Sequence, residues 1–285
     1  MSSPLLVDNH TRDLITRALA EDRGAGDITT QAIVPADVSG HATLLAKSPC
    51  VVAGLAVAEE VCRQVDPRIV WTSRCTDGAR QEPGDVLATA AGPAVGLLGA
   101  ERTLLNLLQH LSGIATLTRA CVDATGGRIT VLDTRKTLPG LRALEKYAVR
   151  CGGGTNHRFG LYDGVLIKDN HIRVAGSIQE AVRRMRGAQA AAGTSWPIEV
   201  EAQSLEQVHD ALEAGADIIM LDNLDVETMR TAVAAIAGRA KTEISGGVSL
   251  DKIPVLADIG ADFVSIGALT HSAPAADISL EIEIG

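Results

Sequence analysis

Residues 131–172 read VLDTRKTLPGLRALEKYAVRCGGGTNHRFGLYDGVLIKDNHI. An apolar run from Ile129 to Leu132 leads into Asp133-Thr134-Arg135-Lys136, and a second, Val165 to Ile167, stops on Lys168-Asp169-Asn170. Two buried strands that end in charges place those charges at the rim of a sheet. Between Arg128 and Arg173, nine Lys or Arg stand against four Asp or Glu, a surplus of five cations in a chain of net charge −9. Such a cluster in an acidic protein suits a small polyanionic ligand. Nucleic-acid binding would make the whole domain basic, and with 2% aromatic residues base stacking is not available on any scale. A solvated helix face accounts for Arg142, Lys146 and Arg150. It does not account for Arg135, Lys136 and Lys168, which sit at strand ends.

Outward from this segment, after Gly126-Gly127, six short apolar runs recur: Ile129–Leu132, Val165–Ile167, Ile198–Val200, Ile218–Leu221, Glu243–Ile244 and Phe263–Ile266. Helical stretches lie between them, such as Leu141–Ala148, Ile178–Ala190, Leu205–Ala214, Val226–Ala237 and Ile253–Ile259. Strands alternating with helices imply a parallel sheet, and this many units without a dinucleotide fingerprint favour a β/α barrel over an open sheet. The runs end in Asp133 to Lys136, Lys168 to Asn170, Glu201, Asp222-Asn223, Ser245-Gly246-Gly247 and Gly267-Ala268. In a barrel these ends share one face, so independent segments converge on one pocket.

The remainder reads as a second, α+β domain. Asp8 to Asp22 is helical, with Asp8 or Asn9 as N-cap and Leu14, Ile15, Ala18 and Leu19 as the apolar stripe. Strand-like His41–Lys47, Ile69–Cys75 and Val86–Ala88 surround a helical Leu55–Val65. Gly96–Ala124 is apolar at helical spacing, interrupted by Glu101-Arg102, Asn106, Gln109 and His110. Asp277–Ile284 alternates like a strand and is expected to pair back with this first domain. The start of the chain carries no basic-then-apolar signal, and no run approaches the roughly 20 apolar residues that span a bilayer, so a cytoplasmic location is expected. The five cysteines are far apart with no C-x-x-C pair, which makes buried thiols the expectation and a zinc site or disulfide framework improbable.

Arg and Lys at the first two strand ends offer forked and point-like donors for carboxylate or phosphate. Glu201 and Asp222 could hold Mg²⁺ or ribose hydroxyls. Glycines at the last two strand ends let backbone N–H groups approach an anion, as in barrel phosphate sites. His157 and Arg158, in an aperiodic glycine-rich loop, are expected to contact ligand, and His171 to cap or orient the Lys168 segment.

These residues together resemble the quinolinate phosphoribosyltransferase family, of the type II phosphoribosyltransferases. The resemblance rests on Glu101-Arg102-Thr103 with Asn106 to Gln109, Asp133 to Thr137, Gly152 to Arg158, Leu166 to His171, Glu199-Val200-Glu201, Met220 to Asn223 and Ser245-Gly246-Gly247, and covers nearly the whole chain. It implies an α/β fold with an N-terminal α/β sandwich over residues 1–113, to which residues 272–285 return, and an incomplete β/α barrel over residues 114–271. It implies a homodimer with sites between the barrel and the partner, Mg²⁺, and conversion of quinolinate and phosphoribosyl pyrophosphate to nicotinate mononucleotide, pyrophosphate and CO₂. On that pattern Arg102, Arg135, His157, Arg158 and Lys168 would take quinolinate, with Arg102 reaching in from the second subunit. Lys136, Asn170, Ser245, Gly246, Gly247, Gly267 and Ala268 would take the phosphates. Lys136, Lys168, Glu201 and Asp222 would be catalytic, the two carboxylates also holding the metal. Three other readings remain open: a relative that uses another ring acid without decarboxylation, a barrel that binds a phosphorylated ligand without turning it over, and an aldolase-like barrel using Lys168 as a Schiff-base amine.

Overall fold

A computed structural model describes residues 5–284; residues 1–4 and 285, the ends of the ranges expected for the first domain, lie outside them. The chain divides into two units. One comprises the residues up to Arg119, Leu138–Gly153 and the residues from Ser272 on; the other comprises Ala120–Thr137 and Gly154–His271. The boundary expected at residues 113 and 114 falls inside one continuous helix, Ala94–Ala124. The segment Leu138–Gly153, read from sequence as part of the barrel alternation, groups with the first unit.

The first unit is built on a four-stranded antiparallel sheet in the spatial order Ile278–Ile284, Ser39–Ala46, Val86–Pro93, Val70–Ser73. The C-terminal strand does return: Ala46 pairs with Ile278 and Gly40 with Ile284. Ser39–Ala46 alternates exposed and buried positions, so one face can pack while the other stays polar. Asp8 caps the first helix by accepting the Thr11 N–H at 2.8 Å, and that helix buries Ile15 and Leu19. Asp77 accepts the N–H groups of Gly54 and Leu55, satisfying donors at the start of helix Leu55–Val65, and accepts a hydrogen bond from the Tyr147 hydroxyl at 2.7 Å. Helix Arg142–Cys151 corrects one expectation. Lys146 is 1% exposed and its neighbours Leu144 to Val149 are all buried, so the face expected to carry cations into solvent does so only at its ends, Arg142 and Arg150. Glu145, fully buried in the same helix, meets His110 at 2.9 Å and accepts the Leu138 N–H.

The second unit is a six-stranded, all-parallel sheet. Numbered along the chain, its strands are Thr130–Leu132, Val165–Ile167, Ile198–Ala202, Ile218–Asp222, Lys241–Ser245 and Phe263–Ser265, and their spatial order is first, sixth, fifth, fourth, third, second. Helices Asp169–Ala175, Ile178–Ala192, Leu205–Glu213 and Val226–Ile236 make the crossovers that parallel strands require. The first and second strands are the two edges, which makes this an incomplete β/α barrel. Thr155 bridges to Leu132, so the loop after Gly154 runs along the open edge of the first strand. The third strand is buried at all five positions, as a parallel strand covered on both faces should be. The five cysteines are free, four buried and Cys75 half-buried. Burial pushes the Cys62 thiol up to about 12, so it behaves as core and not as a nucleophile.

Candidate active site

The carboxyl ends of the barrel strands surround one cavity of about 310 Å³. Its wall contains Arg135 and Lys136 from beyond the first strand, Lys168 from the second, Glu201 from the third, Asp222 from the fourth and Ser245 from the fifth, together with His157 and Arg158. Parallel strands bring these together because every strand runs the same way and therefore ends on the same face.

Local chemistry fixes each part. Asp133, with no exposed surface, closes the first strand and accepts the side-chain amide of Asn156 at 2.5 Å and the His157 N–H at 2.9 Å. This anchors the glycine-rich loop beside Arg135. The Lys168 N–H donates to His171 Nδ1 at 3.0 Å, so His171 caps the short helix that follows the second strand. Glu201 and Asp222 are spanned by a single amide: Gln203 Nε2 lies 3.3 Å from Glu201 Oε1 and 3.4 Å from Asp222 Oδ2. Burial first, and the Asp222 charge behind it, raise the Glu201 carboxyl above its ordinary range, while Lys168 works in the opposite direction. Arg158 is depressed by burial and then by the charge of Arg135, which means that two guanidiniums repel one another across this pocket.

Other expected residues have different places. Gly246 and Gly247 have φ of +94° and +57°, and a Cβ on Gly246 would stand 2.2 Å from the Asn223 side-chain oxygen, so that turn requires glycine. Gly267 packs against Lys136 and His271, where a Cβ would come within 2.9 Å of Lys136 Cδ and 3.1 Å of His271 Nε2. Ala268 opens the short helix Ala268–His271 behind it. Asn170 lies outside the cavity wall, on the exposed surface, where its side-chain oxygen accepts from Arg173. Arg102 is exposed on the helix of the first unit. Sequence reasoning missed Glu243, Ser265, Gln203 and His271. The alternation of inward positions along the fifth strand could have found Glu243; nothing in the residue pattern singled out Ser265, at the end of the sixth, or the other two.

Glu201 and Asp222 present hard oxygen donors to the cavity within reach of one amide nitrogen, the donor chemistry that a cation such as Mg²⁺ would require. Among the described residues no helix is long and apolar enough to cross a membrane.

Comparison with known proteins bears on both units. Residues 27–112 match the N-terminal domain model of quinolinate phosphoribosyl transferase, and residues 114–281 match the C-terminal domain model. The chain is 45% identical to a probable nicotinate-nucleotide pyrophosphorylase [carboxylating] of Bacillus subtilis, over 96% of this chain and 93% of that protein. It is 48% identical to the nicotinate-nucleotide pyrophosphorylase [carboxylating] of Mycobacterium leprae, over 95% of this chain and 96% of that protein. Among solved structures, NadC from Streptococcus pyogenes matches with a TM-score of 0.93 and 42% identity over the full length of both chains.

Proposed function

Because this chain belongs to the quinolinate phosphoribosyltransferase family, we propose that its pocket joins quinolinate to the ribose of phosphoribosyl pyrophosphate. Pyrophosphate and CO₂ leave, and the product is nicotinate mononucleotide, on the way to NAD. The observation that carries this reading is the company the cavity keeps: Arg135, Lys136, Arg158 and Lys168 stand with Glu201 and Asp222 around about 310 Å³. Two guanidiniums that repel each other are best satisfied by a ligand with two adjacent carboxylates.

In this reading Arg135, Arg158 and Lys168 take the carboxylates, with His157 in the wall beside them. Arg102 of the partner subunit completes the set in a homodimer. Lys136, with Lys168, faces the pyrophosphate, while the turns Ser245-Gly246-Gly247 and Gly267-Ala268 serve the phosphates; Asn170, outside the cavity wall, is not part of this set. Glu201 and Asp222 would hold Mg²⁺ and the ribose hydroxyls, and a bound ion would supply positive charge opposite the pyrophosphate.

Two bonds exchange at the ribose carbon: the C–O bond to pyrophosphate breaks as the pyridine nitrogen forms a C–N bond. The residues contribute position and field, since no proton must move in this step. The ring nitrogen is then positively charged and stabilises the electron pair left on the neighbouring ring carbon when its carboxylate departs as CO₂. That carbon finally takes up a proton. Lys168 and Arg135, by neutralising the second carboxylate, keep the ring anchored through both steps.

The test is CO₂ and pyrophosphate release with quinolinate, phosphoribosyl pyrophosphate and Mg²⁺, beside a parallel run with nicotinate. Equal amounts of both products with quinolinate alone are expected. Pyrophosphate from nicotinate without CO₂ would overturn the substrate, and silence with both ring acids would overturn the activity.

A further inference from the structure

At the floor of the cavity the barrel holds a buried layer of charge that the reaction does not use directly. Glu199 and Glu243, on the third and fifth strands, are 4% and 1% exposed. Glu199 stands two residues before Glu201 and so points to the same interior, one layer deeper. His157 Nε2 lies 3.0 Å from Glu199 Oε2 and 3.6 Å from Glu243 Oε2. The other ring nitrogen is engaged as well, because the Arg158 N–H donates to His157 Nδ1 at 2.7 Å. A backbone N–H can be received only by a bare nitrogen, so the ring proton sits on Nε2 and points at the glutamates. Both faces of the imidazole that could bind a substrate carboxylate are therefore committed to the protein.

What the ring does hold is Arg158. Its backbone is set by the Nδ1 contact, the preceding N–H is tied to Asp133 at 2.9 Å, and its guanidinium donates to the Gly164 carbonyl at 3.2 Å. A rotation of the imidazole would release the first of these and let the arginine swing from the cavity.

We infer that Glu199 and Glu243 are positioning residues for quinolinate: acting through His157, they hold Arg158 where its guanidinium meets a carboxylate of the diacid. Burial, with Glu199 beside it, raises the Glu243 carboxyl, in keeping with a group placed for its shape and its hydrogen bonds more than for its charge. The same three ligand atoms lie within 4.8 Å of one another and could in principle surround a metal ion. The proton on Nε2 argues against that, since a metal needs that nitrogen bare.

The inference rests on the proposed function, and the experiment separates the two. Steady-state kinetics of the wild type come first: no turnover of quinolinate would overturn the proposed function and this inference with it. With an active wild type, Glu199→Met keeps the volume but cannot accept the hydrogen bond from the ring N–H, and Glu243→Met removes the second carboxyl that the ring faces at 3.6 Å. Glu199→Met is expected to raise KM for quinolinate about tenfold, the size of one lost hydrogen bond to a charged group, and Glu243→Met to raise it by less, since it breaks no direct hydrogen bond to the ring. KM for phosphoribosyl pyrophosphate and kcat should stay within about twofold, and Gln at either position should restore most of the loss. Combined with Arg158→Ala, Glu243→Met should add nothing, because both act on one contact. An unchanged KM for quinolinate, an equal rise in both KM values, additivity with Arg158→Ala, or a stoichiometric metal that Glu243→Gln removes would each overturn the inference.

Discussion

Lys168 Nζ lies 3.4 Å from Glu201 Oε2, across the ends of two neighbouring barrel strands. The two partners differ in setting: the lysine side chain is 47% exposed and the glutamate 9%. An ion pair with one arm in water contributes little to folding, about 0 to 1 kcal/mol. Its value lies in presenting a cation and an anion side by side to a ligand that carries phosphates and hydroxyls. Lys168→Ala is therefore expected to shift the thermal midpoint by less than about 4 °C, while kcat/KM falls by at least about 100-fold. Melting curves and CO₂ release on the same preparation check both halves.

Arg135→Ala should cost about 2 to 5 kcal/mol of transition-state binding, the range for removing one member of a desolvated charge pair. Most quinolinate turnover then disappears while the fold survives. Arg135→Lys should recover little, because a point charge cannot reproduce a planar fork against a carboxylate. Near-normal rates in the alanine variant would sink the role given to Arg135.

The metal assignment predicts a titration. Glu201→Gln and Asp222→Asn should each raise the Mg²⁺ concentration for half-maximal activity by about tenfold or more, as expected when one of two anionic ligands loses its charge. An unaltered Mg²⁺ curve would leave both carboxylates to the ribose hydroxyls.

Much of this site could be read in the residues, and the reason is periodicity. Each barrel strand is a short apolar run stopped by a polar residue, so Arg135, Lys168, Glu201 and Asp222 were marked by position before any fold was known, and the cavity gathers all four. Residues inside the runs were harder. Glu243 begins an apolar pair, Glu243-Ile244, and reads as part of the strand, yet its side chain points inward to His157. Lys146 was misread for the opposite cause. Its neighbours look like an amphipathic surface helix, but the helix is buried at every position from Leu144 to Val149, which no local pattern records. His271 carried no signal because its relation to Gly267 and Lys136 depends on strands far apart in sequence.

Gly113 sits where the long helix approaches the segment leading to the C-terminal strand. A Cβ there would stand 2.1 Å from the Pro274 carbonyl oxygen and 3.1 Å from the Ala275 Cα. Backbone atoms cannot step aside as a flexible side chain can. The same stretch also depends on hydrogen bonds from Ala276 N–H to the Gln109 carbonyl and from Gln109 Nε2 to the Ile278 carbonyl, which a shift would stretch. Gly113→Ala is expected to destabilise by about 1 to 3 kcal/mol or more, against the usual helical preference for alanine over glycine. Thermal melts followed by circular dichroism give the sign directly, and a stabilised variant would show that the approach relaxes at no cost.

Glu243→Gln should make the protein more stable as pH rises, and the sign follows from where the proton sits. Burial first, then the charge of Glu199, push the Glu243 carboxyl from 4.5 up to about 8, with His157 pulling the other way. Between those values the folded chain keeps a proton that the unfolded chain has given up, so wild-type stability falls as pH climbs through that window and levels off above it. Glutamine resembles the protonated acid and carries no such term. At pH 5 the two proteins should therefore melt within a degree or two of each other, as the window has scarcely been entered there, and the variant's advantage should widen steadily towards pH 8. Titrating groups remote from Glu243 are common to both proteins and cancel in the difference, whereas Glu199 and His157 share its layer and their response to the substitution is part of the signal. A gap that stays flat from pH 5 to 9 would mean that Glu243 ionises as freely in the barrel as in water, and that the floor of the cavity is not the desolvated pair that the geometry of Glu199, His157 and Glu243 describes.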